Sequence, residues 1–223
     1  MTLVILHVRQ AKKPGKGHEV ATTPFWEESY RRPGKLDTFG GGKPSENVVA
    51  AAPALPAGAA VLDLGCGEGR NAIYLASIGF ETSAIDISSA GIKKLNTVAK
   101  EMGFSVDTSV CDMRTYSFPR LFDLVVCQGC LHLVERHEWR QILDRIKKST
   151  TIRGLNVIGV FTDTVPEPED QRGLMVGLFK EGELLKQYRG WDVLESDSYE
   201  FEHEHPGGIR HRHAGNRLTA KKP

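Results

Sequence analysis

The middle of the chain alternates short apolar runs with longer amphipathic segments. The apolar runs predict five strands, at 61–64, 80–85, 104–110, 122–127 and 155–161. Hydrophobic residues at helical spacing predict intervening helices at 71–78, 88–102 and 131–148. Strands that alternate with helices over short connections indicate βαβ units, and therefore a mostly parallel sheet with helices on both faces.

This pattern changes after residue 161. Proline, glycine and acidic residues predict a long loop over 162–177, and a short helix follows at 180–188. Three further strands are predicted at 191–194, 199–205 and 212–220, the last two joined around Pro206-Gly-Gly208. The expected fold is thus an α/β, Rossmann-like doubly wound sheet, mostly parallel with an antiparallel C-terminal hairpin edge.

The N-terminal residues differ in composition from this core. Residues 9–23 are polar and rich in lysine, glycine and proline, so 1–24 are predicted to be a weakly ordered extension and 25–223 a single domain. The apolar run 2–8 is short and follows no basic region, so it is not interpreted as a secretory signal.

Composition narrows the possible partners. The 29 Lys and Arg against 28 Asp and Glu give a net charge of +1, which disfavours a nucleic-acid partner. No apolar run approaches the ~20 residues that span a bilayer, so no membrane partner is expected. Three of the four cysteines fall within or just after apolar runs, which predicts reduced thiols and a cytoplasmic protein. Oligomeric state, monomer or homodimer, stays open.

Two of the cysteines form a C-x-x-C motif, Cys127-Gln-Gly-Cys130. A zinc ribbon would need a second such pair, which the sequence lacks. A thioredoxin-type dithiol fits the position of the motif between a strand and a helix. A ligand-binding role is the alternative, because ligands bind in such sheets outside the carboxyl ends of the strands. We expect no metal site.

The most informative segment is Val61-Leu-Asp-Leu-Gly-Cys-Gly-Glu-Gly-Arg-Asn71, a strand followed by a glycine-rich turn. A turn without side chains lets a ligand lie directly against the backbone. The dinucleotide-binding fingerprint has glycines at positions 1, 3 and 6, but position 6 here is Arg70, which argues against an NAD-dependent oxidoreductase. Acids follow the same edge of the predicted sheet: Asp63 before the turn, Asp86 after strand two and Asp112 after strand three.

The G-x-G-x-G turn with an acid two residues before it resembles the class I S-adenosylmethionine-dependent methyltransferases. This resemblance implies that Asp63 faces the ammonium group of S-adenosyl-L-methionine. It implies that Asp86 accepts the ribose hydroxyls, a position that also suits NAD. Asp112 would accept the adenine amino group, with Met113 and Ile87 near the ring.

The resemblance also implies that Gln128 to His132 line the cofactor near its sulfonium, which disfavours a redox or metal role for the C-x-x-C motif. His132 could equally face solvent at the start of a helix. The cofactor-binding residues predicted in this way are Asp63, Gly65, Cys66, Gly67, Arg70, Asn71, Asp86, Ile87, Asp112, Met113, Gln128 and His132.

The segments flanking this core resemble one family more closely. The tellurite-resistance (TehB-type) methyltransferases are similar to this chain from about Phe25 to the C-terminus, in the segments 30–32, 44–46, 179–184, 188–191, 213–218 and 220–222. That resemblance implies methyl transfer from S-adenosylmethionine to a small anionic substrate, a tellurite or selenite oxyanion, in detoxification. Such an anion needs cationic hydrogen-bond donors, so the candidate catalytic residues are Arg31, His203, His205 and Arg210.

The register of the C-terminal hairpin decides what these residues form. If Gly207-Gly208 is a two-residue turn, His205 lies opposite Arg210 and His203 opposite Arg212, which makes an anion site. A loop one residue longer reverses the faces and could bring histidines together as in a metal site. A solvated, charged edge hairpin is the third possibility.

Two other functions stay open. The methyl acceptor could be a small organic thiol, amine or hydroxyl compound; an aromatic or apolar pocket would favour it, and a pocket rich in Arg and His would favour the anion. The chain could be a regulatory protein that binds the cofactor without turnover. A nucleic-acid methyltransferase is disfavoured by the charge balance and by the absence of an N-P-P-[YF] tetrad after strand four.

Overall fold

The structure, a computed structural model, describes residues 25–34, 36–204 and 210–223, without the side chains of Phe25, Asp170 and His203. The predicted extension 1–24 and the candidate residue His205 lie outside this part of the chain. Within it, no helix is long and apolar enough to cross a membrane.

Seven strands form one sheet in the described part of the chain, in the order β3-β2-β1-β4-β5-β7-β6. The strands are β1 (Ala60–Leu64), β2 (Glu81–Asp86), β3 (Asp107–Val110), β4 (Phe122–Gln128), β5 (Thr150–Thr162), β6 (Asp192–Glu204) and β7 (Arg210–Lys221). Strands β1 to β5 pair in parallel, whereas β7 runs antiparallel to both β5 and β6. The predicted α/β fold with an antiparallel C-terminal edge is confirmed.

The described helices are α1 (Phe25–Arg31), α2 (Glu46–Ala51), α3 (Arg70–Ser77), α4 (Ser89–Met102), α5 (Arg136–Lys148) and α6 (Glu183–Gln187). Local chemistry explains both ends of α4: Ser88 Oγ accepts the N–H of Gly91 at 2.9 Å, and Gly103 ends the helix with φ 77°.

Helix α5 begins later than predicted. Residues 131–133 form a 3₁₀ turn, and α5 starts only at Arg136. Glu135 and Glu138 cap it reciprocally, each side chain bonding the other residue's backbone N–H, so the polar cap rather than the apolar pattern fixes the helix start.

The C-terminal hairpin also departs from the prediction. The two strands predicted at 191–194 and 199–205 are one strand, β6, with an irregularity between Val193 and Glu195. His203 pairs with His211 and Glu204 with Arg210, which is the register expected for a loop one residue longer than a two-residue turn. The alternative with Gly207-Gly208 as a two-residue turn requires a register shifted by one residue, which the described strands do not have.

The core lies on both faces of the sheet. Along β4, Val125 and Cys127 pack with the α5 side, whereas Leu124 and Val126 pack with the α2 and α3 side. Trp139 of α5 is fully buried, and its ring stacks on Phe179 with the centroids 4.0 Å apart. This contact joins the parallel core to the segment before α6.

Replacement of this buried ring tests the packing. We expect Trp139→Ala to lower the free energy of unfolding by about 3–5 kcal/mol, because it leaves a cavity where a large side chain was fully enclosed. Urea unfolding measures the change. As a control, Ile152→Ala, at a side chain that is 77% exposed, should change it by less than about 0.5 kcal/mol. Equal effects of the two substitutions would contradict the packing described.

Candidate active site

A cavity of about 690 Å³ opens at the carboxyl ends of the parallel strands. This is the edge at which sheets of this kind bind ligands. The described residues lining it include Asp63, Gly65, Cys66, Gly67, Arg70, Asn71, Asp86, Ile87, Asp112, Met113, Gln128 and His132. The structure thus brings all twelve residues predicted to bind a cofactor to one cavity.

The glycine turn between β1 and α3 forms one wall. Gly65 has φ 74° and Gly69 has φ 89°, both in the left-handed region that favours glycine. A Cβ on Gly65 would lie 2.5 Å from the Cys130 Sγ, and one on Gly69 would lie 2.3 Å from Leu95. Backbone therefore lies against neighbouring side chains here, and its open side faces the cavity.

Asp63, at the end of β1, is a buried carboxylate whose negative charge is balanced by few hydrogen bonds or positive charges. It is 1% exposed, and its Oδ2 accepts the backbone N–H of Ala72 at 3.1 Å. Burial raises the pKa of Asp63 to about 7, although the nearby charge of Arg70 opposes the shift. A cationic group arriving in the cavity would find a carboxylate there that gains strongly from a counter-charge.

The other two acids are held differently. Asp86 accepts the N–H of Gly67 and of Ser88, each at 2.8 Å, so it ties the glycine turn to the start of α4. Burial nevertheless raises the pKa of Asp86. Asp112 lies 2.6 Å from Arg114; burial opposes the change, but the hydrogen bonds from Arg114 lower the pKa of Asp112.

A second buried acid, Glu68, had no role in the sequence prediction. Its carboxylate lies 2.7 Å from Lys94 Nζ and accepts both the N–H and the hydroxyl of Thr38. These bonds fasten the segment before α2 to the glycine turn. Trp26, Tyr30 and Phe39 from that N-terminal part also line the cavity and were likewise missed; Tyr30 lies within a flank used for the family resemblance, which was the available signal.

The far side of the cavity is built from rings. The Phe161 ring stacks on His132 with centroids 4.2 Å apart and on His213 with centroids 5.0 Å apart. Phe201 lies 5.4 Å from Phe161, and Tyr199 lies 5.6 Å from Phe201. We call these five residues the ring wall.

His132 is buried, at 2% exposure, and is not the solvent-facing residue that one prediction allowed. Its Nδ1 lies 3.3 Å from the backbone N–H of Phe161 and accepts it, which places the ring proton on Nε2. Burial, followed by the neighbouring His213, lowers the pKa of His132 to about 3. His132 is therefore a neutral hydrogen-bond donor toward the cavity.

Neither of the two predicted catalytic arginines is brought to this cavity. Arg31 is exposed and lies 3.7 Å from Glu27 on its own helix. Arg210 is exposed and bonds Glu204 at 2.9 Å, and neither arginine is among the described lining residues. The side chain of His203 and all of His205 lie outside the described residues. Along β7, Arg210 and Arg212 alternate with the buried His211 and His213. Both arginines therefore face solvent, where they pair with Glu204 and Glu200.

The C-x-x-C motif lies beneath the glycine turn. Its two Sγ atoms are 3.3 Å apart, and Cys130 Sγ also lies 3.4 Å from the carbonyl oxygen of Leu64. Cys130 lines the cavity, which agrees with the ligand-side position expected for this segment. In the described ranges, no three His, Cys, Asp or Glu side chains are grouped so as to hold a metal ion.

Comparisons with known proteins agree with this arrangement. A family model described as tellurite resistance protein TehB matches residues 41–221. The probable S-adenosyl-L-methionine-dependent methyltransferase TehB of Haemophilus influenzae (strain ATCC 51907 / DSM 11121 / KW20 / Rd) is 30% identical over 137 residues, which cover 60% of this chain. The match spans about half of that relative's length, 46%.

Solved structures show the same fold. The crystal structure of TehB from Haemophilus influenzae aligns with a TM-score of 0.72 and 27% identity, over 80% of this chain and 62% of that one. The N-methyltransferase NodS from Bradyrhizobium japonicum, in complex with S-adenosyl-L-homocysteine, aligns with a TM-score of 0.60 and 17% identity. That alignment covers 92% of this chain and 90% of NodS, and at this identity it shows the fold alone.

Burial of Asp63 predicts a pH-dependent stability. Its pKa is about 7 in the folded chain and about 3.9 when unfolded, so the folded state holds a proton that the unfolded state loses. The free energy of unfolding should therefore fall as pH rises from about 4 to above 7. Asp63→Asn has no carboxylate to ionise at this position, so we expect a higher free energy of unfolding for the variant than for the parent at about pH 8. The difference between the two should shrink toward pH 5.5.

Urea unfolding at both pH values, without added ligand, measures this difference. Asp144→Asn, at a side chain that is 63% exposed, is the control and should show little difference at either pH. A margin for Asp63→Asn that does not change with pH would contradict the burial cost assigned to Asp63.

Proposed function

The chain belongs to the TehB family of tellurite resistance proteins, and from this we propose that it transfers a methyl group from S-adenosyl-L-methionine to a small acceptor. The observation that carries the proposal is the geometry of the cavity, in which a glycine turn and three strand-end acids face one space. The name of the Haemophilus influenzae relative supports the same reaction.

The cavity fits this cofactor. Asp63 is a buried carboxylate with one backbone hydrogen bond, and the ammonium group of the methionine part would supply the charge that it lacks. Asp86 is already fixed by two N–H groups and would accept the ribose hydroxyls. Asp112, Met113 and Ile87 would enclose the adenine.

Bound S-adenosylmethionine supplies an electrophilic methyl group on a sulfonium centre. The chain's own contribution is to align the acceptor with that carbon at contact distance and to exclude water. Tyr30 and Phe39 contribute to exclusion from the N-terminal side. His132 can donate a hydrogen bond from Nε2, but its occupied Nδ1 leaves it no lone pair for a proton.

The tellurite or selenite acceptor stays a prediction, supported by the family description. Its proposed cationic contacts are weakened, because Arg31 and Arg210 lie away from the cavity in ion pairs of their own. The cytoplasmic location and a regulatory role without turnover also stay predictions. Methyl transfer and cofactor binding can be tested separately.

Cofactor affinity should depend on the charge of Asp63. Because the pKa of Asp63 is about 7 without a cation, binding of an ammonium group should release a proton, and affinity should weaken as pH falls below 7. Asp63→Asn should bind S-adenosylhomocysteine about 10- to 100-fold more weakly at pH 8, the loss of one charged hydrogen bond, and should lack this pH dependence. Titration calorimetry at about pH 5.5 and pH 8 measures both effects.

Asp144→Asn serves again as the control and should bind like the parent. Parent affinity that does not change with pH, together with unchanged affinity in Asp63→Asn, would show that the ammonium group lies elsewhere.

Methyl transfer itself is tested with methyl-labelled S-adenosylmethionine and separate acceptors: selenite, tellurite, a thiol and an amine. We expect label to appear on at least one acceptor, and transfer by Asp63→Asn to be reduced at non-saturating cofactor. Volatile label formed only with the oxyanions would establish the family's acceptor for this chain. Cofactor binding without transfer to any acceptor would contradict the enzymatic proposal and favour the regulatory one.

A further inference from the structure

The cavity has two chemically different halves. The glycine turn and the three acids come from the β3-β2-β1-β4 half of the sheet, which the cofactor would occupy. The remaining lining comes from the N-terminal residues 26–40, from the segment 129–134 after β4, and from β5, β6, β7 and the segment 171–175. An acceptor must approach from this second half, because the first is filled by the cofactor.

The acceptor half is dominated by the ring wall. Phe161, Tyr199 and Phe201 are half-buried, so part of their surface is open to the cavity. Leu174 and Met175 continue the apolar surface on the loop side. A flat, apolar molecule would find more favourable contact here than a small hydrated ion.

Formal charge is scarce in the same half. The arginines among the described lining residues are Arg70 and Arg114, and both are engaged: Arg70 donates to the Lys43 carbonyl and to Ser45 Oγ, and Arg114 pairs with Asp112. Glu202 borders the cavity, but alternation along β6 directs its side chain to the face opposite Tyr199 and Phe201. An oxyanion placed here would lose its hydration shell without gaining paired hydrogen bonds from an arginine side chain.

His132 is also poorly placed to remove a proton from an acceptor. Its Nδ1 accepts the Phe161 N–H, so the imidazole offers the cavity an N–H donor rather than a lone pair. An acceptor whose nucleophilic atom already carries an open lone pair needs no such base. A thiol or hydroxyl would first have to lose a proton.

Resting on the methyltransferase function proposed above, we propose that the acceptor is a small, uncharged heteroaromatic compound that is methylated on a ring nitrogen, of the pyridine or quinoline type. The transfer forms one C–N bond and breaks the S–C bond of the sulfonium. The nitrogen lone pair becomes the new bond, the sulfur keeps the electron pair of the old one, and the positive charge moves from sulfur to nitrogen with no proton released.

The ring wall suits this product as well as the substrate. Aromatic faces attract a cation through their negative quadrupole, and the attraction strengthens as the ring nitrogen becomes charged. The ring wall therefore binds the transition state more strongly than the uncharged substrate, and this difference lowers the barrier to methyl transfer.

The test uses the full chain with methyl-labelled S-adenosylmethionine and three acceptors: quinoline, 2-naphthol and selenite. Quinoline and the naphthol match in ring size but differ in the need to lose a proton. We expect N-methylquinolinium as the labelled product, identified by mass, with kcat/KM at least about tenfold higher for quinoline than for the other two.

Variants locate the acceptor. Phe201→Leu keeps the site apolar but removes a ring, so KM for quinoline should rise about 3- to 10-fold while affinity for S-adenosylhomocysteine is unchanged. Tyr74→Leu, on α3 and outside the cavity lining, should match the parent in both measurements.

Each other outcome is decisive. Label on the naphthol or on selenite, with quinoline unmodified, would overturn the heteroaromatic acceptor and leave the methyltransferase function standing. An unchanged KM in Phe201→Leu would overturn the role of the ring wall. Transfer to none of the three, with S-adenosylhomocysteine still bound, would contradict both this inference and the function on which it rests.

Discussion

A carboxylate without a matched counter-charge, buried at the end of β1, is the constraint around which the site is organised. Asp63 is 1% exposed and receives one backbone hydrogen bond, so burial raises its pKa to about 7. Burial of this carboxylate destabilises the folded chain, but the glycine turn leaves it facing the cavity, where the ammonium group of a ligand can neutralise it. Asp86 holds the turn in place through Gly67, and Glu68 holds the segment before α2 against it. Asp63 thus favours ligand binding but lowers the stability of the chain without ligand, a trade-off that is common at functional sites.

The cofactor half of the cavity could be predicted because its residues follow local rules. Parallel strands end at one edge of a sheet, so Asp63, Asp86 and Asp112 had to lie near one another once the alternation of strands and helices was recognised. The glycines indicated the turn by their spacing, although the same spacing alone does not choose between cofactors. The family resemblance made that choice.

The acceptor half could not be predicted in the same way. Its rings come from β5, β6, β7 and the turn after β4, which meet only in the folded chain. The register of β6 against β7 could not be fixed from the sequence, because two turn lengths around Pro206-Gly-Gly208 were open and each gives a different pairing. Along β7, alternation places His211 and His213 on the buried face and Arg210 and Arg212 on the exposed one. Tyr30 and Phe39 also line the cavity, although they are distant from its other residues in sequence. No periodic pattern in the sequence predicts their position.

The central claim is that this edge of the sheet holds S-adenosylmethionine by its acids. A crystal structure of the full chain with S-adenosylhomocysteine tests it most directly. The account predicts the amino group of the ligand within hydrogen-bond distance of the Asp63 carboxylate, the ribose hydroxyls on Asp86 and the adenine beside Asp112 and Met113. A ligand bound elsewhere, or bound in this cavity with Asp63 still lacking a cationic partner, would contradict it.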